Sequence, residues 1–166
     1  MANYRSVSPV GQMDDMACWA ACLAWWLKAL GGRPRWSQSD MFKQFADLAE
    51  DDGGLNVNAF IDAVNNKPGL KLTAALFPTN RYRGGRLPIG ERPVLIGFRP
   101  PDDTGTAPNN IHMNVVLSQS SGKVTAMEPY YPFPGQDFKR TGTFLTRNLG
   151  FYIDNASDIM LGWAND

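Results

Sequence analysis

The apolar residues in the first half of the chain are spaced for helices, and the strongest such pattern runs from Met16 to Leu30. Apolar side chains would cover nearly all sides of a helix over this segment, so we expect that helix to be central and buried. Asp14 or Asp15 is in position to cap its N-terminus, and Gly31 and Gly32 are in position to end it.

Two shorter helices are predicted next. One begins at Ser37 or Ser39, both good N-cap residues, and runs to about Ala49. The other runs from about Asn58 to Asn65 and is ended by the turn over Lys67–Gly69. All three predicted helices therefore precede residue 70.

Beyond that point the apolar residues alternate with polar ones or form short runs, which is typical of strands. Four strands are predicted, over Leu70–Phe77, Arg92–Pro100, Ile111–Ser118 and Lys123–Met127. The last two are separated only by a Ser-Ser-Gly turn, so they are expected to form a hairpin.

The remaining segments are predicted from their turn residues. Residues 101–110 and the aromatic, proline-rich Pro129–Pro134 are expected to be loops, and Thr141–Ala164 is expected to add one or two strands or a short helix. Helices that come first and strands that follow indicate an α+β fold with an antiparallel sheet. The length of 166 residues fits a single domain over residues 1–166.

Composition and charge narrow the range of functions that the protein is expected to have. Sixteen basic and sixteen acidic residues cancel, which gives no support for a nucleic-acid or membrane-surface binder. The arginine-rich segment Asn80–Arg86 is expected to be a solvated loop. No secretory signal is visible, and the longest apolar run is interrupted by Lys28 and too short to cross a bilayer. We expect a monomeric protein made in the cytoplasm, although a protein secreted or injected without a signal peptide would share these features.

Three residues could act together in nucleophilic catalysis. His112 is the one histidine of the chain and opens a predicted strand, and Glu128 ends the partner strand of the same hairpin. The carboxylate could orient the imidazole, and the other ring nitrogen would then face a thiol. Cys18 lies near the start of the apolar helix, where the positive helix end and an imidazolium both favour thiolate. Such a nucleophile, base and orienting acid form a catalytic triad.

An acyl-transfer enzyme also needs donors for the oxyanion of its tetrahedral intermediate. Gln12 precedes Cys18 by six residues in an extended lead-in. Its amide and the backbone N–H of Cys18 are the candidate donors. Cys22, one helical turn deeper among Ala and Leu, is expected to be a core residue.

The segment Gln-x5-Cys-Trp-Ala-Ala, a distant His that opens a strand followed by Val-Val, and an acid followed by Pro resemble the papain-like cysteine peptidases. The resemblance is strongest to the bacterial branch of bacteriocin-leader peptidases and secreted effector proteases. It implies that Gln12 is the oxyanion residue, Cys18 the nucleophile, His112 the base and Glu128 the orienting acid. Two features depart from the pattern: Glu stands where Asp or Asn is usual, and Met113-Asn114 follows the histidine.

The expected function is therefore a cysteine peptidase that cleaves a protein substrate, as a domain of a bacterial secreted toxin or effector that has a cognate immunity protein. No cofactor is expected, and one His with two Cys provides too few ligands for a four-coordinate zinc site. A glutamine deamidase, a transglutaminase-like enzyme or a peptidoglycan amidase could use the same residues, and a catalytically inactive adaptor could keep the fold. If Glu128 is not the third member of the triad, Asn114 and Asp102 or Asp103 are the next candidates.

Overall fold

The computed structural model describes residues 3–13, 17–46, 56–101, 111–130 and 141–166. Within these ranges, four α-helices and six strands follow one another. They are α1 (Cys18–Leu30), α2 (Gln38–Gln44), α3 (Val57–Asn65), β1 (Leu72–Pro78), β2 (Val94–Phe98), β3 (His112–Ser120), β4 (Lys123–Glu128), β5 (Thr143–Asn148), α4 (Gly150–Ile153) and β6 (Asp158–Ala164).

The strands form one antiparallel sheet in the order β1-β6-β2-β3-β4-β5. The α+β prediction is therefore confirmed, with helices packed on an antiparallel sheet. The segment Thr141–Ala164, predicted to add one or two strands or a short helix, contains both two strands and a short helix: β5, α4 and β6. β6 returns to the middle of the sheet and pairs with both β1 and β2.

Helix α1 is the central buried helix that its apolar pattern predicted. Trp25 and Trp26 are fully buried, and their indole N–H groups are satisfied by the carbonyls of Val7 and Pro93 at 3.2 and 2.8 Å. Burying two such large side chains with satisfied polar groups fixes how the helix sits on the sheet.

The prediction for the N-terminus of α1 was wrong. Ala17 is the N-cap and makes no side-chain capping hydrogen bond, and the helix begins at Cys18. Asp14 and Asp15 lie outside the described residues. Capping propensity indicates where a polar cap would be favourable, but packing set the start of this helix. As a result, the N–H groups of its first turn are not taken by an N-cap side chain.

Helices α2 and α3 begin where the sequence indicated. Ser37 caps α2 in a capping box with Asp40, and the predicted end near Ala49 falls outside the described residues. Asn56 caps α3. At the other end of α3, the Asn65 side chain pairs with both backbone groups of Ala74 in β1, at 2.8 and 2.9 Å. Through this amide, α3 is tied to the edge of the sheet.

Both faces of the sheet are covered. One face packs on α1 and α3, with α2 packed against α1, and its core includes Cys22, Leu23, Phe45, Phe60, Leu95, Met113 and Val115. The other face is covered by α4 and the segment after β1, with Tyr82, Leu87, Ile96, Phe98, Val116, Tyr152 and Leu161. The predicted solvated arginine loop is exposed at Arg81, Arg83 and Arg86, but its Tyr82 is buried in this second core. Among the described residues, no helix has the length and apolar character needed to cross a membrane.

Two glycines in the left-handed region allow a direct test of this packing. Gly122 (φ 77°) follows Ser121 in the two-residue turn between β3 and β4, and a Cβ there would meet no atom within 4 Å. Gly142 (φ 68°) lies against the N-terminal segment, where a Cβ would approach the Val10 carbonyl oxygen to 2.7 Å.

Gly122→Ala should therefore cost about 1 kcal/mol, since only the backbone conformation is penalised. Gly142→Ala should cost about 3 kcal/mol, because the same penalty is joined by a clash with backbone. Urea unfolding of the two variants measures the difference, and equal losses would contradict the close approach at Gly142.

Candidate active site

Cys18 is the first residue of α1 and lies at the end of the sheet where β3 begins. Its side chain is 8% exposed, and its Sγ lies 3.9 Å from the carbonyl oxygen of Ile111. The thiol also interacts with the side chain of His112, the first residue of β3, and this interaction raises the pKa of the imidazole. The packing of α1 on the sheet therefore brings the predicted nucleophile and base into contact.

The β3–β4 hairpin brings His112 and Glu128 together as the sequence predicted. Val115 pairs with Met127, which places residue 114 opposite residue 128 and residue 112 one step further along on the same face. The His112 Nε2 lies 2.6 Å from Glu128 Oε2, and both side chains are buried. Since Nε2 is bound to the carboxylate, Nδ1 is the ring nitrogen that remains for an interaction with Cys18.

Burial and charge act in opposite directions on His112. Desolvation by burial lowers the pKa of the imidazole, but the Glu128 carboxylate and the hydrogen bonds to Cys18 and Glu128 raise it. The attractive interactions prevail and raise the pKa of His112 from 6.5 to about 10. The ring is therefore held as imidazolium at neutral pH, which is the state that stabilises a neighbouring thiolate.

Glu128 is surrounded by donors. Its Oε2 also accepts from the Asn114 Nδ2 at 3.1 Å and from the Tyr130 backbone N–H at 3.2 Å. Its Oε1 forms an ion pair with the Arg147 guanidinium at 3.0 Å. Burial raises the pKa of Glu128, but His112, Arg147 and the Tyr130 N–H together lower it below its ordinary value. The carboxylate is consequently ionised although it is buried.

Asn114 belongs to this network behind the imidazole. Besides Glu128, its amide donates to the Met113 carbonyl at 2.8 Å. Its Oδ1 accepts from Arg147 at 3.1 Å and from the Tyr152 hydroxyl at 2.9 Å. Of the alternative acids and amides considered from the sequence, Asn114 thus contacts Glu128, whereas Asp102 and Asp103 lie outside the described residues.

Arg147 is a site residue that sequence reasoning missed. It lies in the polar second half of β5 (Thr143–Asn148), where an arginine is ordinarily solvent-facing. The guanidinium reaches across to Glu128 and Asn114 and stacks on Phe151 at 4.2 Å from the ring centroid. No local pattern marks such a residue, because its role depends on the pairing of β5 with β4.

Gln12 is buried to 1% exposure in the segment that precedes α1. Its backbone N–H donates to the carbonyl of Pro129 at 2.9 Å. Pro129 directly follows Glu128, so the lead-in segment runs beside the end of β4 that carries the predicted acid. All four predicted site residues are therefore gathered at one end of the sheet.

Cys22 has the surroundings of a core residue. Its side chain is 0% exposed and its thiol donates to the Met113 carbonyl at 3.2 Å. Burial raises the pKa of Cys22 well above its ordinary value, and the nearby charges of Cys18 and Glu128 raise it further. Of the two cysteines, Cys22 is held as a neutral thiol and Cys18 is the one in contact with an imidazole.

The architecture is a papain-like α+β fold, with helices packed on an antiparallel sheet. The chain matches the peptidase domain of Streptococcus ComA, a bi-functional ABC transporter involved in a quorum sensing pathway, with a TM-score of 0.57. The two are 14% identical in sequence, and the match covers 93% of this chain and 97% of the ComA chain. No protein-family model matches the sequence, and no curated protein is significantly similar to it. At this identity the likeness establishes the fold.

The electrostatic coupling can be tested at the single histidine. We expect the imidazole NMR resonance of His112 to titrate with a midpoint near pH 10. In Glu128→Gln the burial remains and the opposing carboxylate charge is gone, so the midpoint should fall toward 6.5 or lower.

Glu91→Gln removes an exposed carboxylate and should leave the midpoint unchanged. A midpoint near 10 that survives Glu128→Gln would show that Glu128 is not the source of the raised pKa.

Proposed function

We propose that this protein is a cysteine peptidase that cleaves a protein substrate through Cys18, His112 and Glu128, with Gln12 as oxyanion donor. The observation that carries the proposal is the continuous chain of contacts from the Cys18 thiol through the imidazole to the buried Glu128 carboxylate. The fold shared with the ComA peptidase domain supports peptide hydrolysis as the reaction class.

In this mechanism His112 already holds the proton as imidazolium beside the Cys18 thiolate, and the thiolate attacks the carbonyl carbon of the scissile peptide bond. The oxyanion that forms accepts hydrogen bonds from the Gln12 amide and from the Cys18 N–H, which lies in the first turn of α1. Collapse of this intermediate breaks the C–N bond, and His112 returns its proton to the leaving amine. Water then hydrolyses the thioester with neutral His112 as base, which regenerates the Cys18 thiolate and the His112 imidazolium.

The first test compares the two cysteines. Iodoacetamide should alkylate Cys18 and leave Cys22 unmodified. His112→Ala should slow the labelling roughly 10- to 30-fold near pH 7, because an unassisted thiol is only a few per cent thiolate there. Peptide mapping by mass spectrometry identifies the modified residue.

Cys22→Ala is the matched control: it should keep the labelling and cost about 1 kcal/mol of stability as a small core truncation. Labelling of Cys22 in preference to Cys18, or equal rates with and without His112, would contradict the assigned roles.

The reaction itself is tested by comparing the proteomes of cells that express the wild-type and Cys18→Ala proteins. A peptidase generates new N-termini in a target, whereas a deamidase adds about 1 Da at a glutamine without a break. Whichever change the wild-type protein causes should be absent with Cys18→Ala and present with Cys22→Ala. A protein that neither labels at Cys18 nor changes any target would instead support the binding adaptor.

The biological setting we propose is a bacterial secreted toxin or effector, with an immunity protein that blocks it in the producing cell. This part of the proposal is supported by the resemblance of the Gln12, Cys18, His112 and Glu128 motifs to that branch of the peptidases. Co-expression with a neighbouring open reading frame that rescues growth would test it.

A further inference from the structure

The side chain of Gln38 forms hydrogen bonds with the backbone on both sides of Gln12. Its Nε2 donates to the carbonyl of Gly11 at 2.8 Å, and its Oε1 accepts from the N–H of Met13 at 3.0 Å. One amide thus satisfies an acceptor and a donor two residues apart, as a neighbouring strand would. The segment that carries Gln12 is not part of the sheet, so this side chain supplies the pairing that a strand does not.

The position of Gln38 is itself fixed. Ser37 and Asp40 form the capping box that starts α2, and Gln38 is the first residue of that helix. From the opposite direction, the Pro129 carbonyl accepts the N–H of Gln12 at 2.9 Å. The backbone from residue 11 to residue 13 is therefore held between α2 and the end of β4, and three of its polar groups are bonded across that gap.

We propose that Gln38 is a positioning residue for the oxyanion site, acting by fixing the backbone from which Gln12 extends. The inference rests on the proposed function, in which the Gln12 amide stabilises the tetrahedral intermediate. Such a donor contributes only when it already lies at the place where the oxyanion forms. A displacement of about 1 Å at a reacting centre is enough to cost on the order of 100-fold in rate.

A merely structural role would affect every property of the site alike, so the test needs two reactions of Cys18. Acylation by p-nitrophenyl acetate passes through an oxyanion: the thiolate adds to the carbonyl, the C–O bond breaks, p-nitrophenolate leaves and the acetyl thioester is hydrolysed to acetate. Alkylation by iodoacetamide displaces iodide at a saturated carbon and forms no oxyanion. The ratio of the two rates therefore reports on the oxyanion donors alone.

The variant is Gln38→Met, which keeps the length of the side chain and removes both hydrogen bonds. We expect it to lower the rate of acylation about 10-fold or more and to leave alkylation within about twofold of wild type. Gln12→Ala should lower the same ratio by roughly 10- to 1,000-fold. In the double variant, Gln38→Met should add little, because the donor that it positions is already gone.

Gln44→Ala, an exposed position at the other end of α2, is the matched control and should leave the ratio unchanged. Background from other nucleophiles is removed by subtracting the rate of Cys18→Ala.

The outcomes separate this inference from the proposed function. If wild type is acylated and Gln38→Met has a wild-type ratio, lowers both rates equally or adds fully to Gln12→Ala, the positioning role of Gln38 is wrong and the peptidase proposal stands. If wild-type Cys18 reacts with neither reagent faster than an ordinary thiol, the proposed function fails and this inference fails with it.

Discussion

The arrangement of the site depends on one buried carboxylate. Glu128 is 1% exposed, and a buried ion without partners costs several kcal/mol. Its partners come from separate places in the chain: His112 and Asn114 from β3, the Tyr130 N–H beyond β4, and Arg147 from β5. All of them are in reach only when β4 pairs with both neighbours in the observed register. The strand pairing that supplies the partners of the buried carboxylate therefore also positions His112 next to Cys18.

Position along α1 decides what each cysteine can do. Cys18 lies at the helix tip, where the peptide dipoles favour negative charge and an imidazole is in contact. Cys22 lies one turn deeper, where burial raises its pKa and its thiol donates a hydrogen bond to the Met113 carbonyl. The same side chain is thus a candidate nucleophile at position 18 and a core residue at position 22. The difference comes from the surroundings of the two positions, which lie one helical turn apart.

What could be predicted from sequence was local. The β3–β4 hairpin follows from two alternating strands and a two-residue turn. The register shift between Val116 and Ser118, which brings His112 and Glu128 to the same face of the sheet, could not be predicted from those patterns. The insertion of β6 between β1 and β2 could not be predicted, because strand order is set by long-range packing. The same holds for Arg147 and Gln38, whose partners are brought to them by pairing and by helix placement. The start of α1 was mispredicted since a favourable cap residue is a weaker constraint than the packing of the helix.

Glu128 binds a cationic group with each of its carboxylate oxygens. Its Oε2 binds His112 and its Oε1 binds Arg147. With Cys18 as thiolate and His112 as imidazolium, the buried group holds two negative and two positive charges, with Arg147 and Glu128 as the second pair. Without the arginine the site would carry a net negative charge, and that charge would oppose formation of the thiolate. An asparagine at position 128 would need no such cation. The buried carboxylate and the arginine therefore act together, because Arg147 supplies the positive charge that keeps the site neutral when Cys18 is ionised.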